Sequence, residues 1–172
     1  DRQKALHFYQ NLHGYLTTCG IDGVKVDVQA AATTLGKSLG GGASITRKMV
    51  HSMEKSVSRN LNNNVIGCMA HPTENLYSFQ STPIARSSDD FYPNDDKAHQ
   101  QHIVTNAFNS LFLGEIVIPD WDCFHSKHPY AELHSVARAV GGCPVYTSDR
   151  VGNHDFGLLR KLVLPDGTIY RA

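Results

Sequence analysis

The sequence predicts an α/β fold in which parallel strands alternate with helices. Segments with helical spacing of apolar residues alternate with short β-branched or apolar segments, and glycine or asparagine clusters separate them. No repeat, linker or low-complexity tract divides the 172 residues. This alternation is typical of βαβ units, whose strands run parallel. We therefore expect a single domain over residues 1–172.

Five segments carry an apolar helical face. The first runs from Leu6 to Leu16 and ends before Gly20, because glycine commonly terminates helices. The second has Ser44 as its expected N-cap and continues to Leu61. Three further helices are predicted over residues 103–112, 131–140 and 156–164.

Five other segments are predicted as strands, over residues 23–29, 65–70, 84–88, 115–119 and 142–147. They fit either a flavodoxin-like sheet or part of an eight-stranded barrel. Acidic residues favour the barrel, because they lie at or just after strand carboxyl ends, where a barrel collects its catalytic groups: Asp27, Asp90, Asp122 and Asp149. A simple preference of aspartate for turns is the competing explanation.

A complete barrel takes roughly 250 residues, so this chain would supply about the last five βα units of a partial (β/α)₈ TIM barrel. The chain has no initiator Met and begins within a predicted helix. We therefore expect a fragment from the C-terminal part of a catalytic barrel of the glycosidase type. A fragment lacking the other strands could be inactive alone although its parent enzyme works.

Asp27 is the first candidate catalytic residue. Side chains alternate across a strand, so Lys25 and Asp27 share one face while the valines at 24, 26 and 28 share the other. A lysine beside an aspartate favours the ionised carboxylate that a nucleophile requires. A strand-end ion pair without chemistry would give the same pattern.

The segment from Arg86 to Phe91 supplies a second candidate. If the strand continues past Ser88, then Arg86 and Asp90 face one way and Asp89 faces the other. Adjacent carboxylates in partly apolar surroundings suit a general acid. A solvated acidic turn is the alternative interpretation.

Composition excludes several other classes. Lys+Arg and Asp+Glu are equal at 16 each without a basic stripe, so no nucleic-acid partner is expected. No segment approaches the roughly 20 apolar residues of a membrane span. The four cysteines show no CxxC pairing, which favours a reducing, cytoplasmic location with the plastid as alternative. His125 and His128 suggest a metal site only weakly, because the other ligands are not evident.

Several long blocks in order carry a family resemblance. They are residues 23–29 (GVKVDVQ), 86–93 (RSSDDFYP), 109–114 (NSLFLG), 119–122 (PDWD), 141–143 (GGC), 152–156 (GNHDF) and 162–167 (LVLPDG). Over essentially its whole length, the chain resembles the plant raffinose synthase and seed imbibition protein family, which includes the alkaline α-galactosidases. The resemblance implies a (β/α)₈ barrel, a retaining mechanism and no metal or organic cofactor.

The resemblance also implies roles for the candidates. Asp27 would be the nucleophile and Asp90 the acid/base, while Lys25 and Arg86 would hold galactose hydroxyls. Further expected substrate contacts are Asp89, Trp121 and Asp122, although for Trp121 loop packing is an equal alternative. The expected partners are α-galactosides (galactinol and raffinose-type sugars) and sucrose.

Three functions remain open at this stage. The first is transfer of galactose from galactinol to sucrose, which forms raffinose and myo-inositol. The second is hydrolysis by an alkaline α-galactosidase, because the Ser-Asp-Asp-Phe-Tyr-Pro sequence at residues 88–93 resembles that branch. The third is a noncatalytic sugar-binding relative, against which the presence of both Asp27 and Asp90 weighs.

Overall fold

Strands and helices alternate along the chain in the computed structural model, which describes residues 2–169. The helices are α1 (Arg2–Thr18), α2 (Ala31–Leu35), α3 (Gly42–Leu61), α4 (Thr73–Leu76), α5 (Asp96–Leu113), α6 (Ala131–Gly141) and α7 (Phe156–Leu159). The strands are β1 (Val24–Val26), β2 (Val65–Gly67), β3 (Ile84–Arg86) and β4 (Ile118–Asp120). Two 3₁₀ turns follow α2 and α7, at Gly36–Ser38 and Arg160–Leu162. The predicted α/β class is confirmed.

The chain divides into two compact units, Asp1–Arg86 and Ser87–Ala172. The first unit contains α1 to α4 with β1, β2 and β3, and the second contains α5 to α7 with β4. Within residues 2–169, no helix has the length and apolar character needed to cross a membrane.

The strands of the first unit pair in parallel. Val24 of β1 lies opposite Val65 of β2, and Val26 lies opposite Gly67. Gly67 in turn lies opposite Ala85 of β3. Parallel pairing brings the carboxyl ends of consecutive strands to one edge of a sheet, as the βαβ interpretation requires.

The core of the first unit lies between this sheet and α3. Its fully buried members are Met53, Val57, Leu61 and Val65, and Tyr9, Val24 and Val26 pack against them. The predicted packing of the β1 valines against a helix layer is therefore confirmed for the valines at 24 and 26. It leaves the other face of β1 to Lys25 and Asp27.

A buried carboxylate on α3 organises the segment before β3. Oε1 of Glu54 accepts hydrogen bonds from the backbone N–H groups of Gln80, Ser81 and Thr82, at 2.9, 3.1 and 3.0 Å. It also accepts from the Thr82 hydroxyl at 2.8 Å. Since Glu54 is only 3% exposed, these bonds replace water at Oε1 and fix the approach to β3.

In the second unit, α5 packs against β4 and α6. Helix α5 begins at an aspartate N-cap, because the Asp95 carboxylate accepts from the Lys97 N–H at 3.0 Å. The C-cap of helix α6 is Gly142, which has a φ of 63° and so adopts the left-handed conformation that favours glycine.

Some predicted elements differ from the structure. The predicted fifth strand, residues 142–147, has only one parallel bridge, from Thr147 to Phe124. The left-handed Gly142 and Pro144, which has no N–H to donate, both oppose a continuous ladder there. The expected N-cap at Ser44 is wrong, because α3 begins earlier with Gly41 as its N-cap.

We expect loss of the Glu54 carboxylate to destabilise the protein. Glu54→Ala removes the acceptor shared by the N–H groups of residues 80–82, of which Thr82 is buried, and should lower the free energy of unfolding by about 3 kcal/mol. Thermal unfolding of the full-length protein measures this loss. Glu54→Gln keeps an oxygen acceptor and should lose less stability. Equal stability of both variants and the wild type would contradict a stabilising role for the Glu54 carboxylate before β3.

Candidate active site

The first group of candidate side chains lies at the carboxyl edge of β1, β2 and β3. Val26 lies opposite Gly67, which lies opposite Ala85. One residue further along each strand, Asp27, Cys68 and Arg86 therefore form a row across the sheet edge. The Cys68 N–H donates to the Val26 carbonyl at 2.9 Å, which fixes the spacing of the first two members. The edge therefore carries a carboxylate, a thiol and a guanidinium as cross-strand neighbours.

Cys68 is the cross-strand neighbour of the candidate nucleophile. Burial raises the pKa of the Cys68 thiol, the positive charges of Arg86 and Lys25 lower it, and its hydrogen bond to Asp27 raises it. Because the net direction is upward, the thiol stays protonated at neutral pH. Sequence reasoning treated the cysteines as small core residues and missed this proximity, which only the pairing of β1 with β2 creates.

The backbone immediately after Asp27 is strained. Val28 has a φ of 57°, an unusual value for a β-branched residue. Its N–H donates to Oδ1 of Asp27 at 2.6 Å. The prediction that Val28 shares the buried face of Val24 and Val26 is wrong, because this turn ends the alternation and leaves Val28 55% exposed.

The loop after β1 is also tied to the loop after β2. The Ala30 N–H donates to the Met69 carbonyl at 2.8 Å, and the Gln29 amide donates to the Val26 carbonyl at 3.0 Å. Met69 is itself left-handed, with a φ of 48°. These bonds hold the turn that directs the Asp27 side chain.

A cavity of about 330 Å³ opens beside Asp27 on the helix side of β1. Its lining is mainly apolar and includes Val26, Val28, Leu35, Met49 and Met53. It therefore offers few of the donors and acceptors that a sugar needs.

In the second unit, Ser87 is fixed from two directions. Its N–H donates to the Asp120 carbonyl at 2.9 Å, and its own carbonyl accepts from the Asn109 amide at 2.6 Å. Its hydroxyl donates to the Asn106 amide oxygen. Helix α5 thus anchors the backbone just before the two adjacent aspartates.

Asp89 and Asp90 are both exposed. Because β3 ends at Arg86, strand alternation does not extend to these aspartates and does not separate their faces. Oδ1 of Asp89 accepts a hydrogen bond from the Asp90 N–H at 2.9 Å. Both line a polar cavity of about 180 Å³, together with Ser88, Tyr92, Asp95, Ala98, Gln101, His102 and Thr105.

Asp122 follows β4 and is 6% exposed. Its Oδ2 accepts from the Phe91 N–H at 3.0 Å, and its Oδ1 accepts from the Tyr146 hydroxyl at 3.3 Å. The same hydroxyl lies 2.8 Å from Oδ2 of Asp120. Asp122 therefore meets the backbone beside Asp90, a contact that sequence spacing does not reveal.

Trp121 is buried, with 5% of its surface exposed. Its indole N–H donates to the Ser110 hydroxyl at 3.0 Å. A Cβ added at Gly141 would lie 2.9 Å from Cζ2 of the indole ring, so the ring packs closely on the end of α6. In this arrangement Trp121 fills space between helices, and its predicted substrate contact stays a prediction.

Among residues 2–169, no three His, Cys, Asp or Glu side chains converge to hold a metal ion. His128 stacks on His99 with ring centroids 4.2 Å apart. Burial lowers the pKa of His128, and the neighbouring His99 and His125 lower it further. His128 is thus part of an aromatic stack in the second unit.

The candidates form two groups. Lys25, Asp27 and Arg86 belong to the first unit, where their shared neighbour is Cys68. The second group, in the second unit, consists of Asp89, Asp90, Trp121 and Asp122. Asp27 therefore lies in the first unit and Asp90 in the second.

The sequence profile described as "Raffinose synthase or seed imbibition protein Sip1" matches residues 1–172. The chain is 54% identical over 171 residues to a probable galactinol–sucrose galactosyltransferase 1 of Arabidopsis thaliana, covering 99% of the chain and 23% of that relative. It is 41% identical over 182 residues to a galactinol–sucrose galactosyltransferase of Oryza sativa subsp. japonica, covering 100% and 23%. The chain thus spans just under a quarter of the length of these relatives.

The fold resembles a solved structure, an α-galactosidase from Thermus thermophilus in complex with stachyose. The TM-score is 0.67 with 17% sequence identity, over 93% of this chain and 37% of that one. At this identity the likeness concerns the fold, and it agrees with strands and helices that alternate along the chain.

We expect Gly141→Ala to displace Trp121. The added methyl group would meet three indole carbons at 2.9, 3.1 and 3.3 Å, so the ring must move, at a cost of about 1–3 kcal/mol. Gly14→Ala in α1 is the matched control: its methyl group would lie 3.6 Å from Asn60 of α3, and it should stabilise α1 slightly. Thermal unfolding of both full-length variants compares them; an equal response would contradict close packing at Gly141.

Proposed function

Because the chain belongs to the raffinose synthase or seed imbibition protein Sip1 family, we propose that it forms part of the catalytic barrel of a retaining α-galactosyltransferase. The donor is galactinol and the acceptor is sucrose, which gives raffinose and myo-inositol. The observation that carries the proposal is the row of Asp27, Cys68 and Arg86 at one sheet edge, with Lys25 beside it.

In the longer protein, residues 1–172 are the C-terminal part of a (β/α)₈ barrel and contribute about its last five βα units. Parallel pairing of β1, β2 and β3 supports this, as does the likeness to part of an α-galactosidase fold. Candidate residues directly after strands are what a barrel with its site at the carboxyl face requires.

In the first step, a carboxylate oxygen of Asp27 attacks the anomeric carbon of the galactosyl group. The bond from that carbon to the myo-inositol oxygen breaks, and Asp90 gives its proton to the leaving oxygen. The products are a covalent galactosyl ester on Asp27 and free myo-inositol. The fixed turn at Val28 and the Cys68 thiol support a defined orientation of the attacking carboxylate.

In the second step, a sucrose hydroxyl gives its proton to Asp90 as its oxygen attacks the anomeric carbon. The ester bond to Asp27 breaks, raffinose forms, and both carboxyl groups return to their starting states. Exposure of Asp90 in a polar cavity is consistent with proton exchange with an external hydroxyl.

Lys25 and Arg86 are the proposed contacts for galactose hydroxyls, with Asp89, Trp121 and Asp122 as further candidates. The positive charges of Lys25 and Arg86 both act on Cys68, which lies in the same row as the reacting carboxylate. Ammonium and guanidinium groups only donate hydrogen bonds, so they fit the lone pairs of sugar hydroxyls.

Hydrolysis is the second candidate function, with water replacing sucrose in the second step. The Ser-Asp-Asp-Phe-Tyr-Pro sequence around Asp90 favours it, because that sequence resembles the alkaline α-galactosidase branch. Both functions use the same two carboxylates and differ only in the acceptor.

We expect the full-length protein to form raffinose from galactinol only when sucrose is present. The measurement follows raffinose, myo-inositol and free galactose by chromatography, with and without sucrose. Raffinose equal to the released myo-inositol supports transfer, because each galactosyl group then reaches sucrose. Free galactose equal to the released myo-inositol, with and without sucrose, would show that the protein hydrolyses galactinol and does not transfer galactose to sucrose.

We expect Asp27→Gly to abolish turnover and to regain activity with azide. Azide attacks the anomeric carbon of a 4-nitrophenyl α-galactoside from the vacated face while the bond from that carbon to the glycosidic oxygen breaks and 4-nitrophenolate leaves. The product is therefore the β-galactosyl azide, which NMR identifies. Asp22→Asn is the control, since Asp22 is an exposed aspartate just before β1 and should behave as wild type. Full turnover in Asp27→Gly without azide would exclude Asp27 as nucleophile.

A further inference from the structure

The Asp122 carboxylate fixes the peptide group that follows Asp90. Its Oδ2 accepts the Phe91 N–H at 3.0 Å. The Phe91 nitrogen shares one planar peptide group with the Asp90 carbonyl, so this hydrogen bond orients the backbone that carries the Asp90 side chain. Asp122 is 6% exposed, which shields the bond from competing water.

The Asp122 backbone is itself held in an uncommon conformation. Its φ is 60°, in the left-handed region, and its N–H donates to Oδ1 of Asp120 at 3.0 Å. The Tyr146 hydroxyl contacts both carboxylates, at 2.8 Å from Asp120 and 3.3 Å from Asp122. The two aspartates and the tyrosine therefore behave as one fixed group.

Arg138 on α6 holds the same turn through its carbonyls. Its guanidinium is fully buried and donates to the carbonyls of residues 121, 122 and 123, at 2.7, 3.0 and 3.2 Å. Its carbon centre lies 5.0 Å from the centroid of the Phe124 ring. Three carbonyls turned toward one cation restrict this loop to a single backbone path.

A chain of histidines connects Arg138 to the segment after Asp90. Arg138 can only donate, so Nδ1 of His134, 3.0 Å away, must accept. His134 then donates from Nε2 to Nδ1 of His99 at 2.9 Å, and His99 donates from Nε2 to the Pro93 carbonyl at 3.2 Å. Burial, followed by the charge of Arg138, lowers the pKa of His134 to about 3, so it stays neutral in this arrangement.

The Phe91 ring packs inside this histidine chain. Its centroid lies 5.1 Å from that of His99, 5.2 Å from that of His102 and 4.8 Å from that of His134. The residue after Asp90 is thus held by its backbone through Asp122 and by its side chain through the histidines. Two independent constraints act on the same short segment.

We propose that Asp122 is a positioning residue for Asp90, acting through the Phe91 N–H, and that Arg138 with the His134–His99 chain fixes the turn on which that hydrogen bond depends. The inference rests on the proposed acid/base role of Asp90. It assigns Asp122 a role in aligning proton transfer, instead of the sugar contact expected from the sequence. Its Oδ2 already accepts the Phe91 N–H, and its Oδ1 lies 3.3 Å from the Tyr146 hydroxyl.

The test compares two donors that differ in their need for a general acid. Galactinol releases an alcohol and requires protonation, whereas 4-nitrophenyl α-galactoside releases an acidic phenol and requires little. In the full-length enzyme, Asp90→Asn should reduce kcat/KM on galactinol by about 10²–10⁴-fold and far less on the aryl donor. Asp122→Ala should show the same donor dependence with a smaller loss, on the order of 100-fold on galactinol.

Two variants and one control complete the test. Asp122→Asn keeps an oxygen that can accept the Phe91 N–H, so it should recover part of the activity on galactinol. Tyr146→Phe keeps Asp122 and removes only one hydroxyl, so it tests the same group if Asp122→Ala does not fold. The kcat/KM of Tyr146→Phe should fall several-fold on galactinol and little on the aryl donor. Glu115→Gln changes an exposed carboxylate before β4 and should behave as wild type.

The outcomes separate the two proposals. If Asp90→Asn loses equally on both donors, the acid/base assignment of Asp90 is wrong. The positioning role of Asp122 is overturned by a second pattern. The loss of kcat/KM in Asp90→Asn would depend on the donor, while Asp122→Ala would lose kcat/KM equally on both donors with a raised KM. Asp122 would then contact the sugar or support the fold. Unchanged kinetics of Asp122→Ala, or equal losses in a folded Tyr146→Phe, would also overturn the positioning role.

Discussion

The parallel register of β1, β2 and β3 is the constraint on which the candidate site of the first unit depends. Each strand is short, so a shift of one residue would move Lys25 and Asp27 to the core face and bring valines to the sheet edge. The core prevents this shift, because Val24 and Val26 pack with Met53, Val57 and Leu61. Burial of apolar surface on one side of the sheet thus sets the positions of the charged groups on the other.

The second unit uses buried polar groups where the first uses a hydrophobic core. Arg138, His99, His134 and Asp120 are all fully buried, and their hydrogen bonds are directional. Each donor or acceptor limits the next, from the guanidinium through two imidazoles to a backbone carbonyl. Such a network specifies one loop conformation, because any rearrangement would leave a buried polar group unsatisfied. It surrounds the residues that follow Asp90.

Much of the fold could be predicted from the sequence, because helices and strands have characteristic periods. The spacing of Leu6 to Leu16 and of the apolar residues up to Leu61 correctly indicated α1 and α3. Element ends were less accurate. The strand expected over residues 23–29 ends at Val26, since Val28 turns into the left-handed region, and the strand expected over residues 142–147 reduces to a single bridge. The turn at Val28 depends on backbone strain that local patterns do not encode, whereas Gly142 and Pro144 are local signals that oppose the second strand.

The sequence by itself determined the α/β class, the family, and the positions of Lys25, Asp27 and Asp90 near strand ends. These follow from side-chain alternation, chain order and long matching blocks, all of which are properties of neighbouring residues. Only the tertiary structure decided that Cys68 lies beside Asp27 on the neighbouring strand, and that Asp122 accepts the Phe91 N–H across 31 residues of sequence. Hydrogen bonds and strand register join residues distant in the chain, so no local spacing reveals them. Asp27 thus gains a buried thiol as neighbour, and Asp90 gains a backbone held by Asp122.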